Sequence, residues 1–558
     1  MAKKMKYTAD PITMQVIRFA MEQIADEMGY TLVRTARSPI IKEIMDITCA
    51  IFDDKGDTIA QAHHAPMLLT GFELTMKTLA SHFDPKDLHP GDVIISNDPY
   101  MGGQHIMDVQ TFAPAHYGRN LVGFVGTIGH QSDMGGMVPG GVAGGMTEIY
   151  QEGLRIPMVK LYKRYKENDD IFAIIRNNIR VPDNTIGDIK AQVASNYVGI
   201  KKIQNIYRKY GVEVVHKCVR RLLNYSETRM REGLRNLPDG KYSGRSYIDN
   251  DGVTDDLIPV QVNIHIKDDK AKVDFKGTSK QVTGNINCPI ATTHAAVFYT
   301  MIAVADPHVP PNSGCYRPVE IDAQEGLIVN PSLPAAVAAR TNCSQKIVEA
   351  MLQALSKAAP DKAMAGSHGQ ISTCGFSGYY EGKRWVYTDI QGGGAGALPT
   401  IDGKDGQDSH LARFMNTPIE AIELEYPVRI ERFELIQDSG GPGKYRGAMG
   451  LRRDIMFLVD NVSWARYGDT QERAPFGLFG GKEGTKGRFY LIDNKGERRA
   501  KSKGVSFLNK WDIVSLRLPG GGGLGNPRKR DRELVEKDLL DGKISLRNAK
   551  REYGYSKK

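Results

Sequence analysis

The apolar residues of this chain change period by block, and that arrangement constrains the fold more than any single motif. After Asp10-Pro11, which suits a helix start, Val16, Phe19, Ala20, Ile24 and Met28 recur at helical spacing, and Gly29 weakens or ends the run. From Ile44 to about Gly129 the texture is that of strands. Short apolar stretches (Thr48–Phe52, Asp92–Ser96, Leu121–Ile128) are separated by turns such as Asp54-Lys55-Gly56 and Asn97-Asp98-Pro99. A glycine-rich loop covers 130–146. Helical spacing returns over about 185–237, with Val193, Tyr197, Ile200 and Ile203 in one stripe, and closes at Pro238-Asp239-Gly240. Val260, Val262, Ile264 and Ile266 then alternate with polar partners, which predicts a β-hairpin turning at Lys267–Lys270 into Ala271–Phe275, with His265 on its wet face. Residues 343–359 read as a helix ended by Pro360, and 370–520 as strands and glycine turns. The tail from Arg530 to Gly554 reads as a helix, a stop at Gly542 and a short helix capped by Ser545.

These blocks predict a mixed α/β (α+β) chain with segregated helical and β-sheet regions, not a Rossmann or P-loop fold. At about 150 residues per unit, 558 residues make three or four domain-sized pieces. The boundaries drawn are an N-terminal α/β region at 1–237, a central α/β region with the hairpin at 238–430, and a β-rich region with terminal helices at 431–558.

A formal charge of +9 spread over this length is no nucleic-acid footprint, which needs basic residues gathered on one face. The dense basic runs are Lys3-Lys4-Met5-Lys6, Arg528-Lys529-Arg530 and Lys557-Lys558. The longest apolar run, Ala295–Ala305, falls short of the roughly 18 residues of a membrane helix and reads as core. Arg18, Glu22, Asp26 and Glu27 interrupt the first hydrophobic stretch, so no signal peptide is expected. The six cysteines lie far apart without a CxxC pair, which argues against a zinc ribbon or a disulfide framework. A cytoplasmic protein without membrane or nucleic-acid partners is expected.

Phosphate-binding motifs fail on inspection. Gly481-Lys482 is followed by Glu483, not Ser or Thr. The literal GxGxxG at Gly520, Gly522 and Gly525 is followed by too little chain for a dinucleotide fold, so a tight glycine turn is expected there. Gly392-Gly393-Gly394-Ala395-Gly396 permits close backbone approach and names no ligand. No GxSxG, SxxK or HExxH occurs, and Cys49 sits in an apolar strand as an inert thiol. What remains is His105 and Asp108, three apart behind two glycines, with His130 at the end of the strand Leu121–Ile128. Two imidazoles and a carboxylate are a common open-site ligand set for a divalent metal. Spacing alone leaves two readings: that metal site, or hydrogen-bonded polar residues in glycine loops.

At these residues the chain resembles the hydantoinase B/oxoprolinase family, the B-type subunits of ATP-dependent hydantoinases, lactamases and related ketone carboxylases. The resemblance is carried by Ser38–Phe52, Asn97–Asp108, His130–Gly136, Thr147–Tyr162, Asn416–Pro427 and Ser439–Gly450, and by the tail Pro519–Gly554. It implies a hetero-oligomer. A separate A-type ATP-binding subunit phosphorylates the carbonyl oxygen of a small cyclic amide or ketone, and the B-type subunit receives the activated intermediate at a divalent-metal site, zinc or manganese. The family's ligands fall on His105, Asp108 and His130, with Asp46 a fourth ligand or a close neighbour. Asp133 orients the attacking water, holds a ligand or caps a loop, and whether His410 and Asn416 in the Ser409–Thr417 loop contact substrate is left open by the sequence. Many relatives carry a second histidine where this chain has Gln131.

The resemblance implies hydrolysis of a hydantoin, 5-oxoproline or lactam, with an acetone- or acetophenone-carboxylase-like reaction as the alternative on the same metal framework. A scaffold subunit with a vestigial site is the non-enzymatic third reading. The shorter length of this chain tilts the choice toward hydrolysis.

Overall fold

The computed structural model describes residues 7–556, so the basic runs at Lys3–Lys6 and Lys557-Lys558 lie outside the described residues. Seven strands build the first sheet: β1 (Ile47–Phe52), β2 (Thr58–Gln61), β3 (Val93–Ser96), β4 (Asp108–Tyr117), β5 (Asn120–His130), β6 (Val159–Lys163) and β7 (Lys166–Glu167). Their order is β2-β1-β5-β4-β3-β6-β7, and every neighbouring pair is antiparallel. Alternate side chains of β1 go to different cores. Cys49 and Ile51 pack with Met21, Ile24 and Met28, whereas Ala50 and Phe52 pack with Phe72 and Phe112. Helices Pro11–Thr35 and Pro182–Tyr210 supply one cover and Pro66–His82 the other. Burial on both faces is why these strands read as unbroken apolar runs.

The first helix differs from the sequence expectation in two ways. It runs through Gly29 to Thr35, because the ring of His64 lies where a side chain at Gly29 would stand; a Cβ there would come within 2.2 Å of His64 Cε1. Its buried face is Ile17, Met21, Ile24, Met28 and Leu32, while Val16 (46 % exposed) and Phe19 (58 %) face outward. The spacing identified a helix but mixed two of its faces.

A second sheet, ordered β11-β10-β9-β8, comprises β8 (Gly240–Ile248), β9 (Ile258–Lys267), β10 (Lys270–Asp274) and β11 (Val319–Asp322). The expected hairpin is β9–β10, pairing Ile266 with Ala271, and His265 is exposed. Val260, Val262, Ile264 and Ile266 bury against the sheet's helical cover, which includes Arg340–Leu355. The apolar run Ala295–Ala305 belongs to the buried helix Ile290–Ala305, and among the described residues no helix is long and apolar enough to cross a membrane.

The C-terminal part holds a four-stranded and a five-stranded sheet that share a core with Phe376, Phe457, Trp464 and Phe489. Ser372–Tyr380 pairs with Val462–Tyr467, so strands from either side of residue 430 lie in one sheet. The tail is the expected helix Arg532–Leu540, then Gly542 at φ 70°, then a short helix whose first turn Ser545 caps. The expected tight turn at Gly520–Gly525 is instead backbone packed on backbone. A Cβ at Gly521 would lie 1.9 Å from Ala395 O, and one at Gly522 2.0 Å from Phe476 O. Only glycine allows that approach, and the run Gly392–Gly396 is the other side of the same packing. Sheets and helices lie in blocks throughout, an α+β architecture as expected.

Candidate metal centre

The β4–β5 hairpin places the site. Its register pairs Asp108, the first residue of β4, with His130, the last of β5. β1 lies beside β5 with Ile47 opposite Gly129, so Asp46 arrives next to His130, and His130 N donates to Asp46 O at 3.1 Å. Met45, in the left-handed region at φ 58°, turns the chain into that position. His105 comes from the Gly102-Gly103 loop, where Asp108 N donates to His105 O at 3.0 Å and so folds the two residues together.

The side chains converge. His105 Nε2 is 3.0 Å from Asp108 Oδ1 and 3.3 Å from His130 Nδ1, and His130 Nδ1 is 3.2 Å from Asp108 Oδ1. Asp46 Oδ2 stands 3.5 Å from His130 Nδ1. Ligands at about 2.1 Å around a tetrahedral ion are about 3.4 Å apart, so these separations suit a small divalent cation. Among the described residues, His105, Asp108 and His130 are the one group of His, Cys, Asp and Glu able to hold a metal ion. Two nitrogens and carboxylate oxygen without thiolate fit zinc or manganese.

Neighbouring groups fix these side chains in place. His105 Nδ1 donates to Ala338 O at 3.1 Å, which leaves the Nε2 lone pair facing the cluster. Burial, with the Arg340 charge, holds His105 down to about 4, so the ring is neutral at pH 7. Arg340 Nη2 lies 2.5 Å from Asp108 Oδ2 and 3.2 Å from Gln104 Oε1. Burial alone pushes the Asp108 carboxyl up, but His105, Arg340 and the hydrogen bonds outweigh it and hold Asp108 well below its ordinary range. Asp46 lacks such support: burial, reinforced by the Asp108 charge, raises it to about 7 against the pull of His130 and Arg340. Glu152 Oε1 accepts from Val337 N and Ala338 N, both at 2.6 Å, and so holds the carbonyl that orients His105.

Of the remaining residues singled out from the sequence, Asp133 is engaged elsewhere. Its oxygens accept from Gly135 N, Gly140 N, Arg180 N and Arg180 Nη1 at 3.1, 3.3, 2.7 and 2.9 Å, so it organises the glycine loop, one of the roles left open for it. Gln131 turns to the sheet interior, donating to Gly129 O at 2.9 Å and Gln192 Oε1 at 3.3 Å. His410 is half-buried, its ring centroid 6.4 Å from that of Tyr299, whereas Asn416 is exposed. Cys49 is a buried thiol whose pKa burial raises, and all six cysteines are buried and unpaired with one another.

Sequence reasoning missed Arg340, Glu152 and the carbonyl of Ala338. Glu152 lies within the stretch Thr147–Tyr162, but nothing local marks it. Arg340 gave one faint signal, a lone charge directly after the apolar Ala335–Ala339.

The cluster of two histidines and a carboxylate thus stands at one end of an antiparallel sheet in an α+β chain. The model of the hydantoinase B/oxoprolinase family matches residues 10–527, and the chain belongs to that family. The putative B component of a D-/L-hydantoinase of Pseudomonas sp. (strain NS671) is 34% identical over 564 residues, covering 98% of this chain and 95% of that one. The crystal structure of ATP-dependent caprolactamase from Pseudomonas jessenii superposes with a TM-score of 0.91 at 30% identity, covering 99% of this chain and 97% of that chain. A nucleotide-free acetone carboxylase structure has the same fold, with a TM-score of 0.91 at 18% identity over 98% of this chain and 79% of that one.

Proposed function

We propose that this chain is the B-type subunit of an ATP-dependent cyclic amidohydrolase, opening a hydantoin, 5-oxoproline or lactam ring after an A-type partner subunit has phosphorylated the ring carbonyl. The observation that carries this reading is the convergence of His105, Asp108 and His130 with the His105 proton held on Nδ1 by Ala338. Relatives near a third identical are named as a hydantoinase B component and a caprolactamase, which supports hydrolysis and a hetero-oligomer. Acetone carboxylase, at 18% identity, supports the fold alone.

His105, Asp108 and His130 would hold a zinc or manganese ion, with Asp46 as fourth ligand or immediate neighbour. Such an ion supplies Lewis acidity and a water activated near neutral pH. The chain's own residues do the rest. Ala338 O keeps the His105 proton away from the cluster, and Arg340 keeps Asp108 ionised and aimed. Asp46, whose carboxyl burial raises to about 7 in the metal-free protein, would give up its proton on loading and offer an ionised oxygen to the ion or beside it. Asp133 fixes the glycine loop that follows His130 by holding Arg180 and two glycine amides.

The test combines metal content with turnover. The purified chain should carry near-stoichiometric zinc or manganese, and His105→Ala and His130→Ala, checked for folding, should lose it. Mixed with its A-type partner, the wild type should hydrolyse ATP in response to a cyclic amide without bicarbonate. A bicarbonate requirement would move the reading to carboxylation, and a folded wild type unable to take up either metal would sink it.

A further inference from the structure

A second polar group lies beside this centre. His368 is 0 % exposed, and neither of its ring nitrogens has a hydrogen-bond partner. Asp408 Oδ2, His410 Nε2, Ser409 Oγ, Gln345 Oε1 and Asn342 Nδ2 are likewise buried and unpartnered. They are neighbours: His368 Nε2 is 3.8 Å from Asp408 Oδ1, and Gln345 Nε2 donates to Ser409 O at 3.2 Å. A buried polar atom without a partner destabilises a fold, and here several are gathered from three segments of the chain. His410 adds a non-glycine residue at φ 29°, the kind of backbone strain that collects at binding sites.

The segment carrying Asp408 and His410 runs against the metal centre. Met415 N donates to Ile44 O at 3.1 Å, and Met67 N to Leu411 O at 3.0 Å. Asp46 is close enough for its charge to act on Asp408.

The unpartnered atoms select a ligand chemistry. Burial keeps His368 neutral, so its ring offers one donor and one acceptor. Asn342 Nδ2 and Ser409 Oγ add donors, Gln345 Oε1 adds an acceptor, and Asp408, whose carboxyl burial raises to about 8, can donate as well as accept at neutral pH. The nearby cation Lys346 is already tied to Glu349 at 3.2 Å and Thr470 at 3.0 Å, so its ammonium is not free for an anion. A ketone presents only an acceptor. A ring –CO–NH– unit presents both.

We propose that His368, Asp408 and His410 form a subsite that grips the N–H and C=O edge of a neutral cyclic amide next to the metal centre. This rests on the hydrolytic reading above and narrows it to substrates with a free ring N–H.

The test measures binding of hydantoin, 2-pyrrolidinone and ε-caprolactam to the full chain, with and without added zinc, against their N-methyl counterparts and ring ketones of equal size. At least one cyclic amide should bind tenfold or more tightly than its N-methyl form and ketone. His368→Ala and Asp408→Ala should each weaken it at least tenfold with metal content unchanged. His368→Asn, which preserves more of the packing, is read in the same way if the alanine variant does not fold. Equal binding of the N-methyl form or ketone, unchanged binding by both variants, or no binding of any cyclic amide overturns the subsite. Metal content on the same samples separates the two readings: a wild type without metal refutes the proposed reaction, while amide binding still reports on His368 and Asp408.

Discussion

Arg340 Nη2 and Asp108 Oδ2 stand 2.5 Å apart in the protein interior although 232 residues separate them in the chain. The helix that Arg340 opens also covers the second sheet, so this one ion pair ties the metal-site hairpin to the central part of the fold.

Arg340→Ala leaves Asp108 buried without its countercharge. Removing one partner of such a pair costs about 3–5 kcal/mol, so the unfolding midpoint should fall clearly. Loss of a group that supports a metal ligand should also lower zinc or manganese affinity about 10–100-fold. Arg340→Lys keeps the charge but loses the guanidinium contact shared between Asp108 and Gln104, and should recover only part of both. Thermal unfolding and metal titration of the three proteins check this.

Asp46 should make metal uptake pH-dependent. Its folded-state pKa is raised from 3.8 to about 7, so in the metal-free protein its contribution to stability is complete below 3.8 and is lost as pH rises through about 7. A divalent ion binds the ionised form and must displace that proton. Affinity should therefore rise by about tenfold per pH unit up to about 7 and level off above, since His105 is already neutral there. Calorimetry in buffers of different ionisation enthalpy should detect protons released at pH 6, and Asp46→Asn should reduce that release.

Much of this centre was legible in the sequence because His105, Asp108 and His130 lie within one hairpin and its approach loop, where short spacing maps onto proximity. The α+β class was legible for a similar reason, since the helical and strand periods of Val193–Ile203 and Val260–Ile266 are local properties. Arg340, Ala338 and Glu152 were not, because contacts across about 200 residues are set by how the sheets pack and leave no periodic trace. The glycines at 520–525 misled in the same way. A turn and a close backbone packing both demand glycine, and only the partner strand around Ala395 tells them apart.

Glu152 should impose a second pH dependence, on stability alone. Burial raises its carboxyl from 4.5 to about 8, although the amides of Val337 and Ala338 pull it back, and Oε2 is buried without a partner. A raised pKa means stability that is complete below 4.5 and is lost as pH rises through about 8. Glu152→Gln keeps an acceptor for the two amides and cannot ionise. The wild type should thus lose stability relative to this variant by about 1.4 kcal/mol per pH unit across that window and no further above it. Melting curves of both proteins from pH 5 to 9 check the divergence.

Asp133 should behave as a loop organiser. Asp133→Ala strands the amides of Gly135, Gly140 and Arg180, and buried unpaired donors cost about 1–3 kcal/mol each. Arg180→Ala, which removes the other half of the contact, should lower the unfolding midpoint in the same direction but less, because Asp133 then keeps its backbone donors. Both variants should retain bound metal, since neither residue touches His105, Asp108 or His130 through any hydrogen bond or ion pair described. The discriminating protein is Asp133→Asn. It preserves the size of the side chain and acceptor Oδ1, so turnover of the assembled enzyme should fall only in proportion to lost stability. Abolished turnover with metal content and melting point intact would instead assign Asp133 a proton in the reaction.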